Sequence, residues 1–272
     1  MIAPKQFREE ISPYFNANPK KYISALVSED CWQATPGKVV DLVRNLGIAA
    51  GGTVMEDCRV LEACREGKYT SVLVQTHDKK YVEYRTEHFV NALGSGAGKL
   101  CDSMGIDAGL YPVRHQAFIT RRLPMLGKHG TNLDMLIDRQ DYKGFSAVYG
   151  QQIAYTGQII GCASPKLDAM RIDKNLKVNT KAFLEIVSEM FSEWIPDLAG
   201  VGIQAVWAGY YTEPRYIVDP ELGLFVGMRG HGFMLSQYIA RMYVDKLLGR
   251  PVPEYFEKLK LNGPGLSEKA FK

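Results

Sequence analysis

FVNALGSGAGKLCDSMG, residues Phe89–Gly105, is an apolar run that enters three alternating glycines and then a lysine. Phe89–Leu93 reads as a short buried strand, and Gly96–Met104 as a helix that Gly105 caps, so the glycines stand at a strand-to-helix turn. Such a turn invites comparison with phosphate-cradling loops. A Walker A loop needs G-x-x-x-x-G-K-[ST], but the residue five before Gly98 is Leu93 and the residue after Lys99 is Leu100. A dinucleotide fingerprint needs G-x-G-x-x-G, and the series Gly94, Gly96 reaches Lys99 where the third glycine belongs. Glycine-rich turns are also ordinary connectors, so ligand loop and plain connector both stand on the motif alone.

Working outward toward the N-terminus, Thr35-Pro36 is an N-cap with a first-turn proline. Val39, Val40, Leu42, Val43 and Leu46 follow as an apolar stripe that Gly47 closes. Then come β-rich stretches at Val54–Leu61, Ser71–Thr76 and Val82–Arg85, with turn formers Glu66-Gly67 and Asp78-Lys79 between them, which predict a small antiparallel sheet. Toward the C-terminus, YPVRHQAFIT, DMLIDR, FSAVYG and GQIIGC predict a second sheet between Tyr111 and Cys162. A helix over Thr180–Trp194 carries Phe183, Ile186, Val187, Met190 and Phe191 on one side and is stopped by Pro196; a strand over Gly202–Trp207 follows.

A second strand, glycine turn and helix closes the ordered pattern. The strand Leu224–Val226 enters Gly230-His231-Gly232, and a helix with Met234, Leu235, Tyr238, Ile239, Met242, Leu247 and Leu248 runs to Gly249. The first N–H groups of a helix are unpaired, so this turn suits an anionic or electron-rich atom. His231 reads either as an acid-base group or as an exposed turn histidine.

The totals exclude several classes. The 33 basic and 30 acidic residues are interspersed, with no basic block or aromatic-basic stripe, which argues against nucleic acid. Cys31, Cys58, Cys64, Cys101 and Cys162 are odd in number and form no C-x-x-C pair, which predicts reduced thiols, no structural zinc and a cytoplasmic setting. Charges from Lys5 onward leave no signal-peptide core, and no apolar run reaches the length of a membrane span. A homo-oligomer is compatible with the composition.

Three segments together resemble the FAD-dependent amino-acid oxidase and dehydrogenase family, which includes D-amino-acid oxidase, glycine oxidase, sarcosine oxidase and dye-linked L-proline dehydrogenase. They are FVNALGSGAGKLCDSMGIDAGLYPVRHQAFIT, WAGYYTEPRYIVDPELGLFVGMRGHGFMLSQYIARM and TPGKVVDLVRNLGIAAGGTV, spanning about Gln33 to Leu248. The resemblance implies a mixed α/β architecture in which residues 34–107 and 204–250 are parts of an FAD-binding domain. Residues 1–33 and 108–203 would form an antiparallel-sheet substrate domain, with 251–272 as a tail. It implies FAD contacts from Ala92, Leu93 and Gly94 at the adenosine end. At the isoalloxazine it implies contacts from Gly230, His231, Gly232, Phe233 and Met234, where backbone N–H groups and the helix N-terminus stabilise negative charge. Arg114 and Gln116 occupy the family's usual arginine and glutamine positions.

The activity implied is oxidation of the C–N bond of an amino or imino acid, with a hydride passing to the flavin. Many members carry an arginine two residues after the W-x-G glycine to pair with a substrate carboxylate. Here Trp207-Ala208-Gly209 is followed by Tyr210 and Tyr211, so the substrate-facing and catalytic candidates are Tyr210, Tyr211, Arg215 and His231. The family's G-x-G-x-x-G strand is absent from these 272 residues. That departure leads to the expectation of a C-terminal portion of such an enzyme, either a truncated reading frame or a subunit completed by a partner chain that supplies the motif. The alternative expectation is a non-catalytic truncated remnant or structural subunit that does not hold FAD alone.

Overall fold

The computed structural model describes residues 1–10, 13–15, 20, 22, 24–28, 31–123, 125–126, 133–138, 145–153, 156–165, 180–196 and 199–265. In chain order its elements are α1 (Pro4–Glu10), α2 (Pro36–Ala49), β1 (Arg59–Glu66), β2 (Tyr69–Gln75), β3 (Tyr81–Thr86) and α3 (Ala97–Ser103). There follow β4 (Tyr111–Thr120), β5 (Leu136–Asp138), β6 (Phe145–Ile153), β7 (Gln158–Pro165) and α4 (Thr180–Trp194). Last come β8 (Ile203–Glu213), β9 (Ile217–Asp219), β10 (Leu224–Val226) and α5 (Gly232–Leu247). Arg139, at the end of the predicted DMLIDR strand, lies outside the described residues. The chain divides into two compact units, one of residues 1–31 with 113–210 and the other of residues 32–112 with 211–272.

The first unit is built on a five-stranded sheet in the order β5-β6-β7-β4-β8, in which β5 with β6, β6 with β7 and β7 with β4 run antiparallel. The side of α4 predicted to be apolar is buried without exception: Phe183, Ile186, Val187, Met190 and Phe191 join Phe118, Val148 and Ile159 from the strands in one core. Fully burying an aromatic or branched aliphatic side chain stabilises the fold by about 1.5–3 kcal/mol, so this face alone accounts for the position of the helix. Two glycines let the rings lie on the sheet. A Cβ at Gly161 would stand 2.5 Å from the Phe118 ring, and one at Gly150 would stand 2.4 Å from the ring of Phe191. Trp194 donates its indole N–H to the buried Asp138 carboxylate at 3.2 Å, which satisfies both groups.

The second unit contains the antiparallel sheet β1-β2-β3 and the two-stranded ribbon β9-β10. The turns are where glycine and turn residues placed them: Gly67 and Lys79 both adopt positive φ. The helix α3 is a wedge. Its Leu100 packs on Ala63, Val72 and Val74 of the sheet, while Ala97 and Cys101 pack on Ile217, Leu224 and Val226 of the ribbon. The other face of the ribbon, through Val218, meets Ile239, Met242 and Tyr243 of α5 and Phe256 and Leu259 beyond it.

Several expectations need correction. Phe89–Leu93 is no strand: only Asn91 makes a bridge, parallel to Leu224, because the residues beside it turn at once into a 3₁₀ turn at Gly94–Gly96. The first sheet strand begins at Arg59, not Val54, and β8 extends six residues past Trp207. Thr35 does precede α2, but its side chain makes no capping hydrogen bond. Of the apolar α2 stripe, Val40, Leu42 and Leu46 are between 58 and 62% accessible, and Val39 is half-buried.

Candidate functional site

The glycines around β10 are required by close backbone approach. Gly223 (φ +71°) precedes the strand, and a Cβ there would stand 2.5 Å from the Phe89 carbonyl oxygen; Gly227 (φ +72°) follows it, and a Cβ there would fall 1.9 Å from the Arg215 carbonyl oxygen. Between them the strand is paired with Asn91: the Asn91 N–H donates to the Gly223 carbonyl at 2.8 Å, and the Phe225 N–H donates to the Asn91 carbonyl at 3.0 Å. Asn91 itself is 1% exposed, and its side chain donates to the Ala97 carbonyl at 3.0 Å and accepts from the Leu93 N–H at 3.3 Å. Ala92, Leu93 and Gly94, which follow it, are all exposed. The segment Asn91–Gly94 thus runs beside the strand that feeds the second glycine turn.

That turn is a 3₁₀ turn, Arg229–His231, leading directly into the 16-residue α5. His231 is the N-cap residue, and its side chain makes no capping hydrogen bond to the first turn of the helix. Gly230, His231, Phe233 and Met234 are exposed and Gly232 is half-buried. The turn is fixed from the β8–β9 segment at three points. The Tyr211 ring lies where a Cβ at Gly230 would approach it to 2.9 Å. The Glu213 carboxylate accepts from Nε of Arg229 at 2.6 Å. The Tyr216 hydroxyl lies 2.6 Å from Nδ1 of His231. Tyr211 and Glu213 are two residues apart on β8 and so share one face of it.

Among the predicted residues, Tyr211 and His231 are therefore brought to one turn. Tyr210 is the last residue of the other unit and alternates with Tyr211 along β8. The Arg215 guanidinium donates to the carbonyls of Gly263 (2.9 Å) and Leu261, tying the end of the chain to the strand connection. Arg114 and Gln116 lie on β4, where Gln116 is buried and pairs in register with Ala163. Cys101 of the Phe89–Gly105 stretch is buried in the core with Ala97, Ile217 and Leu224, and that burial pushes its thiol above its ordinary pKa. Sequence reasoning missed Glu213, Tyr216 and Arg229. Their alternating and i+2 positions near the glycines were visible, but their pairing depends on where the β8–β9 segment folds back.

A pocket of about 340 Å³ lies elsewhere in the second unit, lined by Asp219, Glu221, Glu257 and Lys260 among others. Lys260 is paired there with Glu221 at 2.8 Å and Glu257 at 3.0 Å. Among the described residues no group of three His, Cys, Asp or Glu is arranged to hold a metal, and no helix is long and apolar enough to cross a membrane.

Residues 1–246 match the DAO family, FAD dependent oxidoreductase. A comparison with curated proteins found no match. Among solved structures, the chain is similar to glycine oxidase from Bacillus cereus, with a TM-score of 0.69 and 18% identity over 94% of this chain and 66% of that one. It is similar to glycine oxidase from Geobacillus kaustophilus (TM-score 0.56, 18% identity, 79% and 54% covered). It is also similar to iminodiacetate oxidase from Chelativorans sp. BNC1 (TM-score 0.61, 14% identity, 84% and 58% covered). The chain therefore spans between 54 and 66% of the length of these three proteins.

Proposed function

The chain belongs to the FAD-dependent oxidoreductase family, and from that premise we propose that it forms the substrate-facing and flavin-facing part of an enzyme that oxidises the C–N bond of an amino or imino acid. One observation carries this reading. Two segments about 135 residues apart, Asn91–Gly94 and Gly230–Met234, are joined through β10, one bridged to it and the other fed by it. When bound, FAD supplies the hydride acceptor for the substrate carbon beside the nitrogen.

The donor set fits such a group. The α5 N-terminus, which the His231 side chain does not cap, offers its first N–H groups to an electron-rich edge, and the glycines at 230 and 232 let Tyr211 and Met228 pack against the turn. Ala92, Leu93 and Gly94 offer backbone groups toward the adenosine end. His231 and Tyr211 stand at the same turn, where an imidazole and a phenol orient a bound amine by hydrogen bonds. The two carbonyl bonds of Arg215 favour Tyr211 over it as the substrate contact.

A second reading is favoured by the exposed apolar stripe of α2. No residue of this helix is buried, which suits a chain that does not hold FAD alone and whose α2 face a further part of the flavin site covers. One titration separates the two. FAD is added to the purified chain and followed by visible absorbance, then amino and imino acids are added without oxygen. Saturable uptake, bleaching by at least one of them, and about tenfold weaker uptake by Gly230→Ala support the first reading. Uptake that does not saturate, with no bleaching, sinks it and leaves the second.

A further inference from the structure

Arg229 has φ +48°, in the left-handed region that glycine occupies at no steric cost. Two other described non-glycine residues, Asp57 and Lys79, share this conformation, and both lie in exposed turns. Arg229 differs because its side chain is only 26% exposed and is paired at 2.6 Å with Glu213, itself 16% exposed. Glycine occurs at 227, 230 and 232, so an arginine at the one intervening position that also favours glycine is there for its side chain. A half-buried ion pair resists separation, because losing either partner leaves the other charge desolvated.

The grip on the turn is consecutive. Glu213 holds residue 229, and Tyr211, on the same face of β8, packs on residue 230. We infer that Glu213 is a positioning residue, which, by holding Arg229 in its left-handed conformation, sets the direction of the N–H groups from Gly230 to Met234. The inference rests on the proposed function for what those N–H groups face, but the hold on the turn stands independently of it.

The test uses the full chain and three variants, Glu213→Gln, Arg229→Gly and the two combined. Glu257→Gln serves as a control that removes two ion pairs elsewhere in the same unit. Amide hydrogen exchange is the first readout. Glu213→Gln should speed exchange of the His231 amide, which donates to the Met228 carbonyl, and of the hydrogen-bonded amides in the first turns of α5 about tenfold while β1–β3 keep their rates, and in the Arg229→Gly background it should add nothing. The second readout is the ratio of affinities for reduced and oxidised FAD, which should fall about tenfold in Glu213→Gln and stay unchanged in Glu257→Gln. Should Glu213→Gln not fold, Glu213→Asp replaces it, with an intermediate effect expected. Unchanged exchange at the turn, equal acceleration throughout the unit, or a full effect of Glu213→Gln in the Arg229→Gly background would each overturn the inference. If the wild-type chain takes up no FAD, the proposed function fails while the exchange results still decide the role of Glu213.

Discussion

The hydroxyl of Tyr216 and Nδ1 of His231, 2.6 Å apart, join the residue before β9 to the N-cap of α5. The Tyr216 ring is fixed by the core around Val218, Ile239 and Met242, whereas His231 is exposed, so the bond anchors a surface imidazole to a buried scaffold. Tyr216→Phe keeps the ring packing and removes the bond alone. Urea unfolding should show a loss of about 0.5–1.5 kcal/mol. A double-mutant cycle with His231→Ala should return a coupling of about 1 kcal/mol, and strict additivity would mean that the bond contributes nothing in solution.

Arg215 gives a sharper test of the site. Its guanidinium serves the Leu261 and Gly263 carbonyls, so Arg215→Ala should release the segment Lys260–Gly265 and make it more sensitive to protease. The KM for the amino-acid substrate found in the flavin assay should change by less than about twofold, because uniform binding would be untouched. A KM raised about tenfold with unaltered protease sensitivity would make Arg215 the carboxylate contact instead.

How far the sequence could be read depended on the kind of signal. The periodicity of α4 located both the helix and its buried side, because Phe183 to Phe191 face a continuous sheet. The same periodicity located α2 but not its burial, since a pattern reports the face of a helix and not what covers it. Glycine positions marked both turns at the candidate site. Asn91, however, read as one residue of a strand, whereas its side chain holds the turn that follows and its backbone pairs with a ribbon more than 130 residues away. The Glu213–Arg229 pair was not legible at all, because it follows from a fold-back and a positive φ that no local pattern encodes.

The glycines separate by their surroundings into two opposite predictions. Gly47 lies inside α2 with nothing within 4 Å of an added Cβ, so Gly47→Ala should stabilise the protein by about 0.5–1 kcal/mol through helix propensity. Gly227→Ala places a methyl group 1.9 Å from the Arg215 carbonyl at a φ of +72°, and should cost more than about 3 kcal/mol or prevent folding. Thermal denaturation of the pair measures both signs. A neutral Gly227→Ala would mean that the Arg215 backbone does not lie against this turn.

The cluster around Lys260 sets the pH dependence. Glu257 takes Lys246 at 2.7 Å and Lys260 at 3.0 Å, and these bonds hold its carboxyl below the usual glutamate range, as Lys260 does for Glu221. A folded pKa below the unfolded value gives stability that is present above the unfolded pKa, about 4.3, and is lost as pH falls through the folded one. Lys260 is shifted upward by Glu221 and Glu257, so its share is complete below the unfolded lysine value of about 10.4 and is lost as pH rises beyond it. Glu257 is half-exposed, and solvent screening limits its contribution to about 0.5 kcal/mol. Glu257→Gln should therefore flatten the stability profile at both its acid and alkaline ends and leave the middle nearly level, and 1 M salt should do much the same to the wild type. Denaturation midpoints across the pH range decide it: a variant whose acid limb is as steep as that of the wild type would show that other carboxyls carry the dependence.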